Sequence, residues 1–173
     1  MPLCRLVYAS RAADALGPAE HEQILTASRR NNAKLGVTGL LAFSSREFLQ
    51  CLEGSREAVS ATYARILGDP RHQEVQLIDF SEIDHRWFGE WGMHGLPASR
   101  LTRQRVLRYS ERELFTPTRM PSANVLALLS DLAAELDSEA SASESASTSA
   151  PAPTPTAAAD PGLLARLGLK RES

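Results

Sequence analysis

The run from Gly36 to Glu53, GVTGLLAFSSREFLQCLE, constrains this chain more than any other stretch. Two apolar segments, GVTGLLAFS and EFLQCLE, are joined by a turn at Ser44 to Arg46, which is far too short for a helix. A link of that length can only reverse the chain, so the two segments form an antiparallel hairpin. Alternation along the second arm puts Phe48, Gln50 and Leu52 on one face. Gln50 is then an amide among apolar neighbours. It is either an exposed edge residue or a buried group that must find hydrogen-bonding partners. A second amide, Asn32, stands just ahead of the hairpin and poses the same question.

The rest of the pattern places that hairpin. Leu3 to Ala9 alternates as a strand, with Cys4, Leu6 and Tyr8 on one face and Leu3, Arg5 and Val7 on the other. Gly17 and Pro18 open a helix that turns Ile24, Leu25 and Ala27 inward and ends near Asn32 or Ala33. Asn32 lies almost two turns beyond Leu25 and so points to the core side, unless it serves as a left-handed C-cap. After the hairpin, Ser55 caps a second helix whose expected stripe is Val59, Tyr63, Ile66 and Leu67, closed by Gly68, Asp69 and Pro70. EVQLIDFSE is a fourth strand, and HRWFGEWGMHGLP is an irregular edge strand interrupted by glycines.

This order predicts an α+β fold: a ferredoxin-like βαββαββ sheet with two helices on one face and the first and third strands central. C-terminal helices and a disordered tail follow. LTRQRVLRYSERELF reads as turn and short helix, and SANVLALLSDLAAELDS as a helix capped by Ser122, with Val125, Leu126, Leu129, Leu132 and Leu136 in its stripe. That helix covers either the other face of the sheet or another subunit. The expected divisions are 1–97 for the sheet domain, 98–137 for the helical extension, 138–160 for a Ser/Ala/Pro-rich linker with too few large apolar residues to repay ordering, and 161–173 for a short terminal segment.

A formal net charge of −2 offers no basic field for nucleic acid or an anionic membrane. No charged leader precedes an apolar core, and the longest uncharged apolar run, near Gly36 to Ser45, falls short of the roughly 20 residues that span a bilayer. The expectation is a soluble cytoplasmic protein, with Cys4 and Cys51 as reduced thiols inside strands. The four histidines show no ligand spacing, and there is no phosphate loop, paired catalytic carboxylate or activated nucleophile. Hydrolytic and metal-dependent chemistry is disfavoured.

Three polar side chains remain. Tyr8, Asn32 and Gln50 each have an ordinary structural reading, but together they converge on the space between the two helices. Polar groups converging in an apolar cleft suggest a planar polar ligand. Trp91 and Met93 read as core residues, with Gly92 beside them hinting at a close approach. Arg71 and His72 sit in the loop after Pro70, where they are either solvated or in contact with the edge of a ligand.

LVYAS, RRNNAKLGVTGLL, FLQCLEG, DPRH and WGM, occurring in that order between Leu3 and Leu96, resemble the BLUF domain, the family of blue-light sensors using flavin. The resemblance implies that Tyr8, Asn32 and Gln50 surround a flavin ring and that Trp91 and Met93 are the corresponding residues of the last strand. It also implies that Asn31, Asp69, Arg71 and His72 contact the ring or its side chain. The implied cofactor is FAD, with FMN or riboflavin as alternatives, held without a covalent link. The implied function is a photoswitch, not an enzyme, in which a light-driven rearrangement of Tyr8 and Gln50 passes through the last strand and the C-terminal helices to an unidentified protein partner. The expected assembly is a homodimer or larger oligomer. Two other readings stay open: a ferredoxin-like small oxygenase or haem-degrading enzyme, and a plain interaction module built on the helix from Ser122 to Ser138.

Overall fold

The computed structural model describes residues 1–89 and 92–148, with side chains described through Ala140. It contains β1 (Leu3–Ala12), α1 (Pro18–Leu35), β2 (Thr38–Phe43), β3 (Glu47–Ser55), α2 (Arg56–Leu67), β4 (His72–Glu82), β5 (His94–Pro97), α3 (Arg103–Tyr109) and α4 (Ser122–Thr148). Short 3₁₀ turns at Ala98–Arg100 and Pro117–Arg119 link the last elements. The strands form one five-stranded sheet in the order β4-β1-β3-β2-β5. Every neighbouring pair is antiparallel except β2 and β5, which run parallel. The ferredoxin-like order is therefore present, with β1 and β3 central and β5 added at the edge.

Both faces of the sheet are covered, which is why its inner strands read as nearly unbroken apolar runs. On one face Leu6, Tyr8, Leu41, Phe48 and Leu52 pack with Ile24 and Leu25 of α1, Val59 of α2, and Met93. On the other, Val7, Ala9, Leu40, Ala42, Leu49 and Cys51 share a core with Val106 of α3 and with Val125, Leu128, Leu129 and Leu132 of α4. Of the two readings of the last helix, the structure has it covering the sheet. At Gly39 a Cβ would stand 2.0 Å from the Cys51 carbonyl oxygen, so only glycine lets β2 lie this close to β3.

Several boundaries differ from expectation. α1 runs three residues beyond Asn32, and Gly36, at φ 62°, takes the left-handed cap. Asn32 is thus inside the helix rather than capping it. Leu67 is 54% exposed, while Thr62 turns inward in its place. Thr62 lies 300° round the helix from Val59, close to its face, whereas Leu67, eight residues on, has rotated about 80° away. α4 continues to Thr148, beyond the expected linker start at 138. A shortage of apolar residues removes a reason to pack, but Ala and Glu remain good helix formers, and extending an existing helix avoids the cost of nucleation. The remainder of that linker and the segment 161–173 lie outside the described residues, as does Trp91. Met1–Ser138 forms one compact unit; a second unit, Glu139–Ser173, is described only over its helical residues to Thr148.

If α4 supplies this much of the core, Leu129→Ala should cost about 2–5 kcal/mol through lost burial and an unfilled cavity. Urea denaturation measures this directly, and a cost under about 1 kcal/mol would mean that α4 does not hold the sheet.

Candidate functional site

β1 and β3 run antiparallel from Leu3↔Ser55 to Arg11↔Glu47, and this register sets Tyr8 directly across from Gln50. Cross-strand partners point to the same side, so both side chains rise from the centre of the α1/α2 face. The Tyr8 hydroxyl donates to Gln50 Oε1 at 2.5 Å. Gln50 Nε2 donates in turn to Met93 Sδ at 3.4 Å. Tyr8, Gln50 and Met93 are 0%, 5% and 2% exposed. The edge reading of Gln50 therefore fails, because β3 is interior. These three residues make a buried polar chain ending in a thioether, a weak acceptor.

The last turns of α1 hold the segment that carries Met93. Asn32 Nδ2 donates to the Gly92 carbonyl at 2.9 Å, and Arg29 Nε donates to the Met93 carbonyl at 3.1 Å. Asn32 also lines a cleft between α1 and α2. Tyr8, Asn31, Asn32, Gln50, Asp69, Arg71 and His72, all picked out in the sequence, lie on the wall of this one cleft. Met93 sits behind Gln50. Ile24, Leu41 and Ile66 give the cleft apolar walls, and convergent amides over apolar walls suit the polar edge and flat faces of a planar ring. Sequence reasoning missed Thr62 and Arg65, which also line it and are bonded to each other, Arg65 Nη2 to Thr62 Oγ1, at 3.2 Å. Their signal was spacing: Thr62, Arg65 and Ile66 stand at i, i+3 and i+4 and so share a helix face.

The cleft's charged rim comes from the loop after α2. Arg71 is bidentate to Asp69, with Nε to Oδ1 at 2.9 Å and Nη2 to Oδ2 at 2.5 Å. Those bonds hold the Asp69 carboxyl below its ordinary range and push the Arg71 guanidinium above its own. His72, expected in the loop after Pro70, is instead the first residue of β4. Its Nδ1 lies 2.8 Å from Ser10 Oγ, and its ring sits 4.9 Å from that of Phe48. Burial lowers its pKa from 6.5. Burial, with smaller contributions from Tyr63 and Asp69, pushes the Tyr8 phenol far above its ordinary value, so it keeps its proton at any physiological pH. Cys51 is likewise buried and its thiol raised, which leaves it unreactive.

A family model described as "BLUF: Sensors of blue-light using FAD" matches residues 3–94. The chain belongs to the BLUF family. It is 34% identical over 91 residues to the blue light- and temperature-regulated antirepressor BluF of Escherichia coli (strain K12), and 33% identical over 90 residues to photoactivated adenylate cyclase subunit beta of Euglena longa. These stretches are 53% and 51% of this chain but only 23% and 10% of those longer proteins. Among solved structures, the dark state of the BLUF protein BlrB is similar with a TM-score of 0.62 at 33% identity, covering 78% of this chain and 97% of BlrB. This BLUF chain has no helix, among the described residues, long and apolar enough to cross a membrane.

The depressed pKa of His72 has a thermodynamic sign. The folded state binds its proton less readily than the unfolded state, so the stability it contributes is present above pH 6.5 and is lost as the pH falls below that value. Unfolding free energies at pH 7.5 and 5.5 should therefore diverge more in the wild-type protein than in His72→Gln. Equal pH slopes would refute a neutral, half-buried His72.

Proposed function

We propose that this chain is a blue-light photoreceptor that binds a flavin non-covalently in the α1/α2 cleft and signals through Tyr8, Gln50 and Met93. The observation that carries this reading is the continuous hydrogen-bonded chain from the Tyr8 hydroxyl through Gln50 to Met93 at the back of that cleft. Asn31 and Asn32 would hold the polar edge of the ring, and Asp69, Arg71 and His72, together with Arg65, would meet its rim and side chain. The preferred flavin is FAD, with FMN or riboflavin the alternatives. When bound, the flavin supplies blue-light absorption and, on excitation, a strong one-electron oxidant.

Tyr8 is the electron and proton donor. Burial keeps its phenol protonated in the dark, so the proton leaves only together with an electron. Gln50 Oε1 is its immediate acceptor at 2.5 Å. Once the phenol no longer donates, Gln50 loses its strongest bond, and its remaining one, to Met93 sulfur, resists little. The amide then rotates or tautomerises, exchanging its donor and acceptor ends. Return of the electron and proton restores Tyr8 and leaves the rearranged bonds around Gln50. No substrate is consumed, so the domain is a switch rather than an enzyme. The changed contact at Met93 biases β5 and the helices after Pro97 toward a protein partner.

The purified chain should be yellow and should show a red-shifted absorption band in blue light that reverts in darkness; a colourless preparation that takes up no added flavin would sink the reading. Chromatography of the released chromophore distinguishes FAD from FMN and riboflavin. Gln50→Leu and Tyr8→Phe should each keep bound flavin and lose the reversible shift. A normal photocycle in either variant would remove that residue from the mechanism.

A further inference from the structure

The sheet face opposite the cleft holds a buried ion pair that no step above uses. Glu53 is fully buried and Arg5 is 7% exposed, and Arg5 Nε donates to Glu53 Oε1 at 2.7 Å. Glu53 also accepts two backbone N–H groups from the segment ahead of β5: Trp87 on Oε1 at 3.0 Å and Phe88 on Oε2 at 2.9 Å. The Arg5 guanidinium lies over the Trp87 ring, 3.2 Å from its centroid. The next residue back, Arg86, reaches the carbonyls of Glu53 and Gly36 at 2.5 and 2.9 Å. Phe88 is fully buried in the core that includes Val125, Leu128, Leu129 and Leu132 of α4.

The placement of this pair relative to the switch is the informative point. Arg5 and Tyr8 are three residues apart on β1, and Glu53 and Gln50 are three apart on β3. An odd separation sends side chains to opposite faces of a sheet. One pair of central strands therefore carries Tyr8 and Gln50 on the cleft side and Arg5 and Glu53 on the α4 side. Gln50 of the first pair reaches Met93, and both members of the second reach Trp87. Gln50, Asn32 and Arg29 hold the far end of the segment ahead of β5 through the Met93 sulfur and the Gly92 and Met93 carbonyls. Glu53 holds its near end through two amides.

We propose that Glu53, neutralised by Arg5, is a positioning residue for the switch: its grip on Trp87 and Phe88 is the fixed point that sets where Met93 meets Gln50. This rests on the photoswitch reading above. A buried carboxylate needs a counter-charge and several donors to be tolerated, and here its donors among the described residues are Arg5, Trp87 and Phe88. With the near end fixed, a change in the Gln50–Met93 contact displaces the far end of the segment against an anchored Phe88, whose core includes α4.

The test compares the full-length wild-type protein with Glu53→Gln. The double variant Arg5→Met/Glu53→Leu serves in case an unpaired Arg5 prevents folding, because it removes both charges at similar volume. Amide hydrogen exchange is followed in flavin-free and flavin-loaded protein, together with the Met93 methyl NMR signal and the rate of dark recovery. In either variant, exchange at Trp87 and Phe88 should speed at least tenfold relative to Val7 and Leu49, the Met93 signal should move or broaden, and dark recovery should change severalfold while the red shift survives. Wild-type cycling with unchanged relative exchange, or loss of protection only in step with the whole sheet, overturns the positioning role. An unmoved Met93 signal with wild-type recovery overturns it as well. A wild-type protein with no light-induced shift instead overturns the photoswitch reading, a failure distinguishable because the flavin-free exchange comparison does not depend on light.

Discussion

The hydrogen bond from Tyr8 to Gln50 exists only because β1 and β3 pair in one register across the middle of the sheet. Side chains alternate along each strand, so a slip of one residue would send Gln50 to the α4 side and leave Tyr8 facing an apolar neighbour. Apolar residues on both faces of β3 oppose such a slip, since it would exchange the sets that pack against α1 and α2 with those that pack in the α4 core. The geometry of the polar pair is thus maintained by nonpolar burial on both sides of it.

Because both faces are covered, each polar group in the sheet must be satisfied where it stands. Gln50 is bonded at both ends, Asn32 to a carbonyl, Ser10 to His72, and Glu53 to an arginine and two amides. The bonds of Gln50, Asn32 and Glu53 meet Trp87, Phe88, Gly92 and Met93, residues that precede β5. β5 itself is the shortest strand and, among the described strands, pairs with β2 alone. Short ladder pairing in β5 and side-chain tethers ahead of it make this part of the sheet responsive to individual side chains, which suits the switching role proposed for it.

The elements themselves were largely readable from the chain. The hairpin followed from a turn too short for a helix, the βαββαβ order from alternation and caps, and the central place of β1 and β3 from that order. The inward aim of Asn32 could be read from its spacing to Leu25, although its competing role as a cap was excluded only by Gly36 closing the helix one turn later. Thr62 and Arg65 escaped notice because a threonine and an arginine on a helix ordinarily face water. The ion pair of Arg5 and Glu53 escaped for a related reason: charged residues in a strand resemble its solvent face, and this face became interior only when α4 closed over it.

What the sequence determined by itself is the order of elements and the face on which each side chain stands, since the periods of 2 and 3.6 residues are properties of the local backbone. Tertiary structure decided which of those faces meet. That Tyr8 lies within 2.5 Å of Gln50, 42 positions away, depends on register across separate strands; that Asn32 bonds Gly92 while Glu53 bonds Trp87 and Phe88 depends on which distant residues the closed core brings together. Local periodicity encodes neither, because both arise from contacts between residues distant in the chain, made only when the whole core closes.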